Sequence, residues 1–136
     1  MKQVLLLEKY PIYTLELSKS ETHCESINEI LAHFKTMIAG NPVVQFIAIF
    51  DHYLHTTTLP DGFVNPKIKD AKHIIFCFGK EIQDPGVLAI RPRSIGITEL
   101  EHSYVITFLE APNPTANASM ETWAKALIKT KDLAKT

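Results

Sequence analysis

The feature that most constrains the fold is an apolar stripe in the first third of the chain. Its members recur at spacings of three and one, which place them on one side of a helix: Ile27, Ile30, Leu31, Phe34, Met37 and Ile38. Thr22 and Glu25 have the spacing of a capping box and predict where this helix begins. Gly40, which accepts the left-handed conformation, and the following Asn41-Pro42 predict its end. A helix with one apolar side needs a second surface to cover that side.

Short apolar runs predict the strands that provide this surface. Residues 12–17 alternate between two sides, as a half-buried strand does, and residues 4–7 form a short extension before Pro11. Residues 43–50 form a nearly continuous apolar run of β-branched and aromatic types, which predicts a central strand covered on both faces. Four later runs also predict strands, at residues 73–78, 87–90, 94–98 and 104–109.

The order of these elements predicts an α+β fold. Short connections between successive strands favour antiparallel pairing, and residues 51–72 form the longest loop. Met120, Trp123 and Leu127 predict a final amphipathic helix. The predicted order is β-α-β-β-β-β-α, with four strands between the helices, one fewer than the five apolar runs found there. We expect an antiparallel sheet with two helices packed on one face.

Length and charge restrict the class of protein. A chain of 136 residues fits one domain, so we expect residues 1–136 to form a single domain with a frayed tail beyond about residue 130. Fourteen Lys and Arg residues against fifteen Asp and Glu give a formal net charge of -1, which argues against nucleic acid as a partner. No apolar stretch approaches the roughly 18–20 residues of a membrane span. A signal peptide is not evident, and Cys24 and Cys77 fit reduced thiols, so we expect a cytoplasmic protein without a membrane partner.

Several short motifs occur in an order that is typical of a known family. They lie at residues 46–52, 75–79, 90–93 and 107–112. Over roughly residues 22–128 the chain resembles the bacterial domain of unknown function 302 family. It departs from that pattern at Phe50, where Ile is expected before Asp51-His52, and at Lys80-Glu81, where Asn-Pro is usual. The resemblance implies a bacterial protein with a TBP-like α+β sheet and homodimeric assembly. It implies no activity, because the family has none that is settled.

Asp51, His52 and His55 form the most suggestive polar cluster. They lie where an apolar strand meets a loop, so their side chains are held in place and can still reach solvent. A carboxylate beside imidazoles can orient a general base or bind a divalent metal. In the structural alternative, Asp51 caps a turn or short helix, His52 packs under the long loop and His55 is exposed. His52 and His55 converge only within a helical turn and no third ligand is evident, so we predict no metal site and no cofactor.

The two arginines of the chain, Arg91 and Arg93, flank Pro92 and form a second candidate site. Alternation in a strand places both on the same side, where guanidinium groups can hold a carboxylate or phosphate. Solvated edge charges or ion pairs at a dimer interface are the alternatives. Cys24, near a helix start, is either a mildly activated thiol or a packed, inert one. The glycine-rich motifs that cradle phosphates do not occur in the sequence.

Two functional hypotheses follow from these patterns. The first is a non-catalytic module that binds a small molecule or assembles as a homodimer, with His55, Arg91 and Arg93 as ligand-binding candidates. The second is a small enzyme in which Asp51 and His52 act as an acid–base pair on an anionic substrate. The enzyme hypothesis requires these carboxylate, imidazole and guanidinium groups to converge on one concave pocket.

Overall fold

The computed structural model describes residues 1–130, which form six strands and three α-helices. The strands are β1 (Lys2–Leu6), β2 (Tyr10–Ser18), β3 (Val44–Asp51), β4 (Asp70–Phe78), β5 (Arg93–Glu99) and β6 (Ser103–Leu109). The helices are α1 (Ile27–Ala39), α2 (His52–Thr58) and α3 (Pro114–Lys125), with short 3-10 turns at Lys19–Glu21 and Pro85–Ala89. The predicted fraying beyond residue 130 concerns residues that lie outside the described part of the chain.

All six strands belong to one open sheet in which every neighbouring pair is antiparallel. The order across the sheet is β1-β2-β6-β5-β4-β3, so β1 and β3 lie at the edges. Tight connections join β1 to β2 and β5 to β6. Strands β2 and β6 are also neighbours in the sheet, although they are far apart in the chain. The predicted antiparallel sheet is confirmed.

Helices α1 and α3 cover one face of this sheet, as predicted. Alternate residues of the strands point towards these helices. Their side chains are buried against the apolar sides of the helices: Leu15, Leu17, Ile74, Phe76, Ile95, Ile97, Tyr104, Ile106 and Phe108. Trp123 of α3 stacks on Phe78, with ring centroids 5.7 Å apart. His33 Nε2 of α1 lies 2.8 Å from the carbonyl oxygen of Trp123, which links the two helices. Five stripe residues of α1 are buried, and Met37 is partly buried. The α+β class is therefore confirmed.

The prediction of a central strand at residues 43–50 is wrong. Strand β3 pairs only with β4 and forms an edge of the sheet. Its outer residues remain accessible, with Ile47 at 52% and Ile49 at 42% exposure. The register also shifts between Phe46 and Ala48, which locally breaks the alternation of sides. An apolar run indicates a strand, but it does not reveal how many neighbours that strand has.

Three smaller differences concern the extent of the elements. Residues 87–90 form part of a 3-10 turn and not a strand. Residues 4–7 belong largely to a separate strand, β1, which folds back on β2 through Leu7 and Glu8 in positive φ. The loop predicted at residues 51–72 begins with a helix, α2. Between α1 and α3 the chain has four strands, as in the predicted order, and the fifth predicted run, at residues 87–90, is not one of them.

The start of α1 also differs from the prediction. Its N-cap is Ser26, whose side chain accepts a hydrogen bond from Glu29 N at 3.2 Å. Thr22 is instead buried and forms an isolated β-bridge with Ile128, which removes it from the helix end. At the other end Gly40 is the cap but has right-handed angles, φ -81° and ψ -3°, and not the predicted left-handed conformation.

Candidate binding site on the open face of the sheet

The face of the sheet opposite α1 and α3 is only partly covered. Its side chains come from the strand positions that alternate with the buried core, and on the central strands most of them are half-buried: Ala71, His73, Ile75, Gly96, Thr98, Val105 and Thr107. Helix α2 lies over one end of this face and contacts β4. We call this surface the open face. It is the place where polar groups from separate elements meet.

A cavity of about 290 Å³ lies between α2 and the open face. Its walls come from α2 and from the segment that follows it, and its floor comes from β4 and β5: His52, Tyr53, Thr56, Phe63, Val64, Asn65, Ile68, Ala71 and Thr98. Among these lining residues, His52 alone can carry a charge near neutral pH. The cavity therefore suits a small molecule with a mainly apolar body.

A larger cleft of about 780 Å³ adjoins this cavity. The two share Asn65, Ile68 and Thr98, so they form one continuous depression along the β5–β6 end of the open face. Leu100 and Val105 contribute apolar surface to the cleft. Its remaining lining includes charged side chains on the rim, namely Lys67, Lys69 and Glu101.

Two histidines meet at the edge of the smaller cavity. His52 Nδ1 lies 2.8 Å from His73 Nε2, within hydrogen-bond distance. The sheet register explains the meeting, because Phe50 of β3 pairs with His73 of β4 and α2 begins two residues after Phe50. Gly96 lies beside His73, where a Cβ atom would be 3.6 Å from the imidazole ring. The strand below and the helix above thus fix the two rings together.

The environment of His73 opposes its protonation. Burial lowers the pKa of His73, and the charge of His52 lowers it further. Two facing imidazolium groups would repel each other, so one nitrogen donates and the other accepts. The outer nitrogen of each ring is not used in this contact, so each ring has a further atom that can form a hydrogen bond with a ligand.

A third imidazole, His55, lies on the next turn of α2. Phe50 lies among the three rings, with centroids 5.3 Å from His52, 5.3 Å from His55 and 5.7 Å from His73. The rings of His52 and His55 are 6.1 Å apart. Within residues 1–130, no group of three His, Cys, Asp or Glu side chains converges as a metal centre.

Asp51 has a structural role in this arrangement. Its Oδ1 accepts a hydrogen bond from Leu54 N at 2.9 Å, so the carboxylate is the N-cap of α2. In the described part of the chain the polar partner of the His52 ring is His73, and no hydrogen bond joins His52 to Asp51. The structure therefore brings Asp51 to the helix start and His52 to the cavity, with His55 exposed beside them.

Arg91 and Arg93 lie in a different part of the molecule. Arg93 pairs with Phe76, whereas Asp51 pairs with Lys72, four residues or about 13 Å along β4. Arg93 shares the face of buried Phe76, and its Nη1 and Nη2 donate to the carbonyl oxygens of Ile90 and Leu109.

Arg91 precedes β5 and donates to the Glu81 carbonyl oxygen at 2.9 Å. The cavities that the arginines line share no residue with the cavity of His52 among residues 1–130. Within the described part of the chain, Asp51, His52 and the two arginines therefore do not converge on one pocket, as the enzyme hypothesis requires.

His73 and the cavity walls at Tyr53, Thr56 and Phe63 were not among the site residues predicted from the sequence. Alternation within residues 73–78 indicated the side of the strand on which His73 lies, but it did not indicate that His73 pairs with Phe50 of a neighbouring strand. The pairing of β3 with β4 supplies that information. The helical character of α2 had a local signal, because Asp51 precedes an uninterrupted run of non-glycine, non-proline residues and is a favoured cap.

Cys24 does not have the environment of an activated thiol. Burial raises the pKa of its thiol, and the carboxylate of Glu29 raises it further, while a hydrogen bond with Thr22 has the opposite effect. Cys24 also lies outside α1, two residues before the N-cap Ser26. Cys24 and Cys77 are both half-buried free thiols.

Comparison with known families decides where the chain is classified. Residues 1–129 match the Family of unknown function (DUF6858). The chain belongs to this family. The earlier resemblance to the domain of unknown function 302 family is not supported, since the motifs that suggested it were short. No curated protein and no solved structure gives a significant match. Membership of this family assigns no activity to the chain.

The helices of residues 1–130 were also compared with the requirements of a membrane span. None of them has both the length and the apolar character that crossing a bilayer requires.

Proposed function

We propose that this protein is a non-catalytic module that binds a small, mainly apolar molecule in the cavity between α2 and the open face. One observation carries the proposal: the cavity is lined by His52 of α2, whose ring contacts His73 of β4. An apolar cavity with a few placed polar groups is the usual form of a small-molecule site. The cavity volume of about 290 Å³ suits a ligand of one or two rings.

The lining predicts which molecules bind. Phe63, Val64 and Ile68 offer apolar contacts, whereas Tyr53, Asn65 and His52 can form hydrogen bonds. A ligand with a formal charge would enter an environment that offers no charged partner beyond His52 and would lose hydration energy. Neutral molecules with one hydrogen-bonding group are therefore the favoured class.

Nuclear magnetic resonance titration with phenol, indole and octanoate tests this proposal. We expect phenol and indole to shift the amide signals of Ala71 and Thr98, and octanoate to shift them less. The variant Ala71→Leu fills the floor of the cavity and should abolish the shifts. Ala39→Leu, at an exposed position of α1, is the matched control. Equal shifts in wild type and Ala71→Leu would reject the cavity as the site.

The alternative is a small enzyme in which Asp51 and His52 act as an acid–base pair on an anionic substrate. It has weaker support, because the Asp51 carboxylate is occupied by the Leu54 amide and the arginines are remote. An acid–base function at this place would depend on His52 and His73.

We also propose that two copies of the chain associate through the open face near β1. Val4, Ile12 and Leu109 are register partners across β1, β2 and β6 and form an apolar row on this face. Val4 is 41% and Leu109 49% exposed. Exposed apolar rows of this kind are typical of protein interfaces. The dimer rests on this row, since the resemblance that implied a TBP-like homodimer has no further support.

Sedimentation equilibrium tests the association. We expect a dimer for the wild type and a monomer for Leu109→Glu. Leu88→Glu, which adds the same charge at a position that is 61% exposed and outside the row, should remain dimeric. A monomeric wild type at about 100 μM would exclude a dimer of ordinary strength. We further propose a cytoplasmic location, which the free thiols of Cys24 and Cys77 support.

A further inference from the structure

The facing nitrogens of His52 and His73 have a separation that suits two ligands of one metal ion. Imidazole nitrogens bind first-row transition metals at about 2.0 Å, so two ligands at a right angle lie about 2.8 Å apart. Two ligands at the tetrahedral angle lie about 3.3 Å apart. The observed distance between His52 Nδ1 and His73 Nε2 is 2.8 Å. We propose that His52 and His73 form a two-imidazole site for a divalent metal with tetragonal geometry, Cu²⁺ or Ni²⁺.

The two ligands are already close together before any metal binds. His73 is half-buried in β4, in contact distance of Gly96 and beside the ring of Phe50. His52 is the first residue of α2, and the Asp51 cap fixes the start of that helix. His52 is exposed to solvent, so an ion can reach the pair without passing through the core. Positioned ligands reduce the entropy lost on binding.

Water and a third imidazole can complete the coordination. His55 lies one helical turn from His52, with ring centroids 6.1 Å apart, and is exposed. It does not converge on the pair in the described conformation, in agreement with the lack of a three-residue centre in residues 1–130. A different rotamer would bring its ring closer. We therefore assign His52 and His73 as the fixed ligands and His55 as an adjustable one.

A plain N–H···N hydrogen bond between the rings is the competing explanation. In that case the hydrogen lies between the two nitrogens, and no ion is involved. A metal about 2.0 Å from both nitrogens would lie beside the line that joins them, so the rings would tilt away from their hydrogen-bonding orientation. The hydrogen would move to the outer nitrogen of the same neutral ring. The two explanations therefore share the distance between the nitrogens and differ in the tilt of the rings and in what the pair binds. The inference does not depend on the small-molecule cavity proposed above.

Isothermal titration calorimetry on the full chain, prepared without a histidine tag and freed of metal, tests the proposal. We expect one equivalent of Cu²⁺ or Ni²⁺ to bind, and Zn²⁺ to bind more weakly than Cu²⁺. The electron paramagnetic resonance spectrum of the Cu²⁺ form should be tetragonal with splitting from at least two nitrogens. His52→Gln and His73→Gln should each weaken Ni²⁺ binding by at least about tenfold.

His102→Gln is the matched control, because the side chain of His102 is 89% exposed and lies in a turn away from the pair. Its affinity for Ni²⁺ should equal that of the wild type. Circular dichroism checks that each variant is folded, and His52→Gln changes an exposed residue, so at least one variant should retain the fold. Absence of Cu²⁺ and Ni²⁺ binding at micromolar concentration, or unchanged affinity in His52→Gln, would overturn the proposal. Titration of phenol into the wild type and into Ala71→Leu tests the cavity proposal separately, so failure of one proposal is distinguished from failure of the other.

Discussion

The side chain of Asn117 forms two hydrogen bonds with the backbone of a single residue, Ala111. Oδ1 accepts from Ala111 N at 2.8 Å, and Nδ2 donates to Ala111 O at 2.8 Å. Both residues are buried. This pair of bonds ties α3 to the segment that follows β6, and it satisfies two backbone groups that the sheet does not pair.

Asn117→Ala should destabilise the fold by about 2–4 kcal/mol, because each buried backbone group without a partner costs about 1–3 kcal/mol. Denaturant unfolding followed by circular dichroism measures the change. Asn28→Ala is the control, since Asn28 is exposed on α1 and its side chain accepts only from Lys72 Nζ. It should cost less than about 0.5 kcal/mol. Equal costs for the two variants would contradict the assigned role of Asn117.

Ser26→Ala should cost about 1 kcal/mol, because it removes the acceptor for the Glu29 amide at the start of α1. Ser26→Asp keeps an acceptor at the cap and should retain most of the stability. Thermal unfolding compares the two variants with the wild type. An unchanged unfolding temperature in Ser26→Ala would mean that the cap lies elsewhere, as the capping box at Thr22 had predicted.

Gly79→Ala and Gly40→Ala should have different effects. Gly79 has φ +98°, and a Cβ there would lie 2.8 Å from Arg91 Nη2, so we expect a loss of about 1–3 kcal/mol. Gly40 has a right-handed conformation with its nearest contact at 3.6 Å, so Ala there should be neutral or stabilising by up to about 1 kcal/mol. Chemical unfolding of both variants measures the difference. A marked loss of stability in Gly40→Ala would instead indicate the left-handed cap conformation that the sequence predicted.

The double variant Gly79→Ala with Arg91→Ala separates the two causes at Gly79. Removal of the guanidinium relieves the contact but leaves the backbone conformation unchanged. We expect most of the cost to remain, since the end of an arginine side chain can move aside whereas φ cannot. Complete recovery would show that the contact with Arg91 was the main cause.

Alkylation of Cys24 should require a higher pH in the folded chain than in the unfolded chain. Its raised pKa lowers the thiolate fraction at any given pH, and the thiolate is the reactive form. Reaction with iodoacetamide over a pH series, in buffer and in 8 M urea, gives the two profiles, and mass spectrometry distinguishes Cys24 from Cys77. A folded-state midpoint below that in urea would support the activated thiol instead.

The elements that depend on local pattern could be predicted from the sequence. The α1 stripe, the alternation at residues 12–17 and the apolar runs of β4, β5 and β6 each indicate their own structure, because burial on one side follows directly from spacing. The position of β3 at the edge could not be predicted, since its apolar run is compatible with one neighbour or with two. The caps were misassigned because Thr22 and Ser26 both precede a Glu at the right spacing. Only the β-bridge between Thr22 and Ile128, which the tertiary structure forms, excludes Thr22 as the cap of α1.

For the candidate site, the sequence by itself determined that Asp51, His52 and His55 lie where a strand ends. The tertiary structure alone decided their partners. Antiparallel pairing of β3 with β4 places His73, 21 residues away in the chain, next to His52. The pairing of β4 with β5 places Arg93 beside Phe76, about 13 Å along β4 from Lys72, and on the face opposite His73. Spacing along a chain specifies which side of an element a residue occupies, whereas the register between strands specifies which residues meet, and that register is set by packing of the whole sheet against α1 and α3.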